Sequence, residues 1–240
     1  MIIFLMFVGL IFLILINVPV AIALGIVGAV ATVSSYGVLA LPNVAMVMFD
    51  GATKFPLIAI PLFILAGAIM NASSISRRLI DLASAMLGFI RGGLSMVTIG
   101  ASIFFAEISG SAVAGVSAIG SIMIPAMKKK GYSKEFSAAI SSSAASLAII
   151  LPPSIPMILY AVMSGVSVVK MFVAGILPGI LGAMGLAAMC YYLAKKNNFP
   201  SEGEFQAKKL WDAFKGAIWA LLIPVIILGG IFGGIVTATE

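Results

Sequence analysis

Two short polar interruptions carry the chemistry available to this chain. Glu107-Ile108-Ser109-Gly110-Ser111-Ala112 lies at the centre of an apolar stretch, residues 93–127, and Leu151-Pro152-Pro153-Ser154 interrupts a second, residues 133–164. Proline removes a backbone donor and clashes with the preceding turn, so the second stretch is expected to break near Ile150 to Ser154. Broken helices inside a membrane offer free carbonyls to a cation. Their half-helix N-termini, with unpaired N–H groups and partial positive charge, face an anion. Here the leg after the tip begins near Ser111 and the second half-helix near Ser154. Ser109, Ser111 and Ser154 add hydroxyls that donate or accept. Ser143 is a further candidate, in the run Ser141-Ser142-Ser143-Ala144-Ala145-Ser146 that leads into the proline break. The arrangement suits a carboxylate solute beside a sodium ion, with no buried basic residue required. Glu107 is the lone acid within its stretch and a functional candidate by default. Proton carrier, cation ligand and hydrogen-bonding partner of the tip all remain open for it.

The competing reading is helix packing, since Gly-Ser-Ala runs in membranes commonly mark close approach of two helices. Gly175 to Gly179 and Gly229 to Gly234 are read that way. For the serine run at 141–146 both readings stand.

The elements that must position these segments follow from composition. The 240 residues are 62% hydrophobic and 9% charged, against roughly 25% charged in a soluble domain. Several stretches approach the ~20 apolar residues that span hydrocarbon. An all-α polytopic membrane protein is therefore expected, as a single membrane domain over 1–240. Ile2 to Ile16 is a short first helix ended by Asn17 and Pro19, and Val20 to Tyr36 a crossing one. The first run lacks a positive n-region and its apolar character continues past Ala23, so a retained helix is expected rather than a signal peptide. Pro42 to Lys54 is mixed, and its Asp50 and Lys54 form an interfacial pair worth little. Leu57 to Met70 crosses, and Ile75 to Ile90 reads as an interfacial helix. Val168 to Leu193 crosses back. An amphipathic arm is expected over 201–215, with a cap-like Ser201 and a belt Trp211, before a last crossing from Lys215 to Val236.

Charge orients these elements. Arg77, Arg78 and Arg91 precede the 93–127 stretch, and Lys128, Lys129, Lys130 and Lys134 follow it. Loops rich in Lys and Arg tend to stay cytoplasmic. Placing 71–92, 128–134 and 195–215 inside leaves only Lys54 and Lys170 misplaced, and requires an external N-terminus and a re-entrant hairpin at 93–127. Irregular backbone at that depth is tolerated only when buried in protein or lining an aqueous cavity. The alternative is one bent, ordinary helix followed by a loop.

Several function classes are excluded. With no histidine, this chain holds no imidazole relay, His-bearing metal site or Ser-His-Asp triad. Cys190 is alone, so no intramolecular disulfide is available. No paired acids in a span, activated nucleophile or phosphate-binding glycine loop is visible, which argues against an enzyme or an ATPase. The net charge of +6 is clustered in loops, as an orientation signal and an attraction to anionic headgroups, and no stacking aromatics accompany it to indicate nucleic acid. The 14 methionines are scattered packing residues.

Three segments, in order, resemble the large membrane subunit (DctM-like permease) of TRAP transporters, the tripartite ATP-independent periplasmic transporters. They are Phe55-Pro56-Leu57-Ile58-Ala59-Ile60-Pro61-Leu62-Phe63-Ile64-Leu65-Ala66-Gly67, Phe104-Phe105-Ala106-Glu107-Ile108-Ser109-Gly110-Ser111-Ala112-Val113-Ala114, and Pro152-Pro153-Ser154-Ile155-Pro156-Met157 with Phe172-Val173-Ala174-Gly175-Ile176-Leu177-Pro178-Gly179. The resemblance implies a sodium-driven, elevator-type secondary transporter of organic acids such as dicarboxylates or sialic acid, in a bacterial inner membrane. It places a first sodium site between tip and break, at Ser109, Gly110, Leu151 and Pro152, and makes 75–90 and 205–214 arm helices. No cofactor is implied beyond sodium as coupling ion. The implied partners are a small four-helix membrane subunit and a periplasmic substrate-binding protein. Family members are about twice this length, built of two inverted halves. The present chain resembles the N-terminal half, and Gly234 to Glu240 resembles the junction to the second. A truncated or split permease that does not transport alone is expected. The runner-up function is a stand-alone sodium–carboxylate symporter needing no binding protein. A non-transporting scaffold subunit would have no need of paired breaks.

Overall fold

The computed structural model describes residues 2–239. Met1 and Glu240, the ends of the expected domain and of the expected junction, lie outside the described residues. The described chain is helical, with connecting turns and short extended segments. Its contacts divide it into two compact units, residues 1–54 and 55–240.

The first unit holds α1 (Ile2–Leu15), α2 (Val20–Tyr36) and α3 (Leu41–Ala52). α1 ends where Asn17 takes a left-handed conformation, followed by Pro19, which starts α2. α1 packs on α2, and α2 on α3. α2 has 17 residues, about 26 Å at 1.5 Å each, a little short of the ~30 Å hydrocarbon core it was expected to cross.

Among the described residues, the second unit holds nine α-helices: α4 (Ala59–Ala72), α5 (Ile75–Leu87), α6 (Gly93–Ser109), α7 (Ala112–Gly115), α8 (Ser121–Lys129), α9 (Lys134–Ser146), α10 (Ile155–Ser164), α11 (Val168–Lys196) and α12 (Ala207–Phe232). Three stretches among the described residues are long and apolar enough to cross a membrane: Phe55–Ala72, Val168–Lys196 and Ala207–Phe232. α6 is the centre of this unit. Fourteen of its 17 residues are buried, because α4, α5, α9 and α11 all pack against it. A helix apolar or small all round is one that protein surrounds. Its buried hydroxyls turn back on its own backbone: Ser95 Oγ donates to Gly92 O at 2.7 Å and Thr98 Oγ to Leu94 O at 2.7 Å.

After Gly110 the chain reverses into α7, one turn of π-helix (Val116–Gly120) and α8. The legs run antiparallel, so that Thr98 near the start of α6 meets Met127 near the end of α8, Oγ1 to Sδ 3.6 Å. Both ends of this hairpin reach one end of the unit. There Glu202 N–H donates to Gly88 O at 2.8 Å, Lys130 Nζ lies 3.3 Å from a Glu202 carboxylate oxygen, and Tyr132 stacks on Phe199 with centroids 4.1 Å apart. The three basic loops thus share one end.

The arm expected over 201–215 differs. Residues 201–206 form no helix, with Gly203 at φ +120°, and Ser201 caps none. From Ala207 one 26-residue helix runs to Phe232, joining the amphipathic run to the last crossing. Nothing between Phe214 and Ile218 stops it, since a single helical glycine such as Gly216 costs only ~1 kcal/mol.

Candidate functional site

The site is built where the hairpin tip meets the proline break. On the break side, α9 starts at Ser133, whose Oγ accepts the Phe136 N–H at 3.1 Å. It runs to Ser146, tightens into a 3₁₀ turn at Leu147–Ile149, and stops at Ile150. Pro152 and Pro153, joined by a cis peptide bond, carry the chain to Ser154, where α10 begins with Pro156 in its first turn. The break therefore falls at 150–154, where the prolines place it.

On the tip side, α6 ends at Ser109 and Gly110 turns the chain with φ +58°, a conformation glycine adopts at no steric cost. Ile155 N–H donates to the Gly110 carbonyl at 3.2 Å. A methyl group on Gly110 would stand 2.9 Å from the Pro153 carbonyl oxygen. The tip is thus seated on the break, backbone against backbone.

The hydroxyls divide into two kinds. Ser109 Oγ accepts the Ser111 N–H at 3.4 Å, and Ser111 Oγ accepts the Ala114 N–H at 3.4 Å, capping the second leg. Both are long and both use the oxygen, leaving the hydroxyl protons for an anion. Ser154 Oγ instead donates to Ile149 O at 2.7 Å, leaving its lone pairs for a cation or a donor. Ser109 and Ser154 are each only 1% exposed. Among the described residues, the carbonyls of Ser109, Leu151 and Pro152 receive no hydrogen bond, and the N–H groups of Ala112 and Val113 find no acceptor. Carbonyls for a cation and N–H groups for an anion therefore meet on two segments joined by the Ile155–Gly110 bond. Oxygen-only ligation of this kind suits a hard cation.

Two candidates stand apart. Ser143 is half-buried on α9, and its carbonyl accepts from Ser146 Oγ at 2.7 Å. No hydrogen bond ties it to tip or break. Glu107 is half-buried one turn before the tip and makes no hydrogen bond or ion pair among the described residues.

Other residues complete the site without having been singled out for it. Gly67 of α4 lies under the tip, where an added methyl would come 3.2 Å from Ser109 Cβ. Gly175 of α11 backs the break against the Ile150 carbonyl and Met157, and Gly179 backs Leu151. Gly115 approaches Ala145 of α9, 3.3 Å for an added methyl. The packing character of Gly175 and Gly179 was legible, but not that the break is what they pack against.

Residues 7–240 match the family described as the tripartite ATP-independent periplasmic transporter, DctM component. The chain belongs to the DctM family. It is 46% identical over 226 residues to the isethionate TRAP transporter permease protein DctMQ of Oleidesulfovibrio alaskensis, covering 94% of this chain and 35% of that protein. To the C4-dicarboxylate TRAP transporter large permease protein DctM of Vibrio cholerae it is 42% identical over 237 residues, 98% of this chain and 52% of that protein. To the sialic acid TRAP transporter permease protein SiaT of Haemophilus influenzae it is 40% identical over 187 residues, 78% of this chain and 30% of that protein. The chain thus spans about a third to a half of these relatives. They are named as permeases rather than enzymes, in keeping with a chain whose chemistry lies in broken helices.

Proposed function

We propose that this DctM-family chain supplies one half of a sodium-driven permease for organic acids. Its tip and break hold a coupling sodium ion and one side of the substrate carboxylate. The carrying observation is the Ile155 N–H to Gly110 O hydrogen bond, which joins the two broken segments into one site. Ser109 and Gly110 at the tip, with Leu151 and Pro152 at the break, offer carbonyl oxygens to sodium. Ser109, Ser111 and the α7 N–H groups face the carboxylate, Ser154 lines the same substrate side with its hydroxyl donating to Ile149 O, and Ser143 stands at the periphery. The printed names of the relatives, covering isethionate, C4-dicarboxylates and sialic acid, support small organic anions as substrates.

The remaining half of the permease, a small four-helix membrane subunit and a periplasmic binding protein complete the system in a bacterial inner membrane. Movement is of elevator type, the hairpin being carried with α9 and α10. The shared end of the three basic loops supports a hairpin that dips into the bilayer and returns to the cytoplasmic side. Uptake of radiolabelled succinate into proteoliposomes containing the complete permease and its small subunit tests this reading. An inward sodium gradient and added binding protein are expected to be required together. Uptake with sodium alone would make the protein a stand-alone symporter, and uptake indifferent to sodium would overturn the coupling.

A further inference from the structure

An apolar groove lies between α5, α6 and the first part of α12. Its volume is about 490 Å³. Leu82 and Met86 of α5, Phe104 of α6, and Trp211, Phe214 and Leu221 of α12 form its walls, and no charged side chain lines it among the described residues. Arg78 fastens α5 to α12 by donating to Gly216 O at 2.9 Å. Ala207, next to the basic loops, and Leu221 both border the groove, about 21 Å apart along α12 at 1.5 Å per residue. One leaflet of hydrocarbon is about half of the ~30 Å core, so an acyl chain lying along α12 fits within that length.

Two features decide what covers it. The first is the size of its wall residues. A second helix packs in a membrane where small residues let the backbones approach, and apart from Ala207 these walls are large, flexible or aromatic. They suit a mobile hydrocarbon tail better than a helix. The second is charge. Lys208, Trp211 and Lys215 stand at i, i+3 and i+7 and so share one edge of α12. Lys215 Nζ lies 5.2 Å from the centroid of the Trp211 ring, itself a groove wall. Both lysines are exposed and make no ion pair among the described residues, and Asp212, the one acid of α12, pairs with neither. Lysine stems lie along apolar surface while their heads reach the headgroup level, where Trp also settles. Lysines beside Trp and Phe on one helix are the composition that holds anionic lipid.

We propose that this groove holds an acyl chain of an anionic phospholipid, whose headgroup lies against Lys208 and Lys215. The net negative charge of the headgroup, rather than the tail, gives the selectivity. The site does not depend on the tip's binding anything.

The test uses the chain in phosphatidylcholine liposomes carrying a minor share of chain-brominated phosphatidylglycerol or of chain-brominated phosphatidylcholine. Bromine quenches tryptophan on contact, and Trp219→Phe leaves Trp211 as the sole tryptophan. The brominated phosphatidylglycerol is expected to quench Trp211 at a share about 25-fold lower than the brominated phosphatidylcholine. Lys208→Gln and Lys215→Gln are each expected to reduce that preference about fivefold, the worth of one lysine at an anionic surface, and the double variant to abolish it. Lys209→Gln removes the same charge from the far side of α12, where Lys209 lines a separate cavity with Asp81 and Glu204, and is expected to leave the preference unchanged. Equal quenching by the two lipids, or equal loss in Lys209→Gln and Lys215→Gln, overturns the proposal. Trp211 shielded from both lipids overturns it as well, and light scattering then shows whether a second copy covers the groove. The substituted lysines are exposed, so the fold stays in place, and circular dichroism verifies this.

Discussion

At the scale of single residues, Gly110 is a position with little freedom. Its φ of +58° is left-handed, and a side chain there would meet the Pro153 carbonyl. A non-glycine residue in that conformation costs about 1–2 kcal/mol, and the close approach adds to it by lifting the tip off the break. Gly110→Ala is therefore expected to lower sodium-driven uptake by about tenfold or more while expression and helix content are retained. Initial rates in the proteoliposome assay measure this, and an unchanged rate would mean the tip–break contact is not part of the site. Residues of this kind were legible from sequence. Glycine and serine at a tip and a proline pair in a helix act locally, so their effect is fixed by their neighbours in the chain. Ser143 was equally visible and fares differently, since which way a serine on an unbroken helix is used depends on the helix beside it.

At the scale of elements, the loop between hairpin and α9 holds the unit's basic end together. Tyr132 packs against Phe199 and Phe136, and beside it Lys130 pairs with Glu202. Burial, with a smaller contribution from the Glu202 charge, pushes the Tyr132 phenol up to about 12. The folded state thus prefers the neutral phenol more than the unfolded chain does. Its contribution to stability is complete below the ordinary tyrosine range near ~10 and is lost as pH rises from there through 12. Melting temperatures at pH 9 and pH 11 are expected to fall further apart for the native chain than for Tyr132→Phe. Equal falls would remove Tyr132 from the account. Sequence periodicity located most elements, because caps and breakers such as Ser133, Pro19 and the 152–153 pair are local. It misjudged 201–215, because an amphipathic run passing into an apolar one contains no stop signal at Gly216. Nor does any residue pattern announce the π-helical turn at Val116–Gly120.

At the scale of the whole molecule, two interruptions far apart in sequence meet in space, joined by the Ile155 N–H to Gly110 O hydrogen bond. Sequence supplied the interruptions and the family resemblance. It did not supply the partners that hold them together, Gly67 on one side and Gly175 and Gly179 on the other, because a small residue shows that something approaches closely without showing what. Polar carbonyls and hydroxyls in a membrane protein are tolerable only inside such an enclosure, which explains why the most buried helix, α6, ends in the tip. If the enclosure is a sodium site, ion binding must stabilise both segments at once. Amide hydrogen exchange on the chain in nanodiscs, in sodium and then in equal potassium, measures this directly. The account predicts that sodium, and not potassium, slows exchange together in residues 109–114 and in the exchangeable amides of 150–158. Slowing in one segment alone, or none specific to sodium, would contradict it.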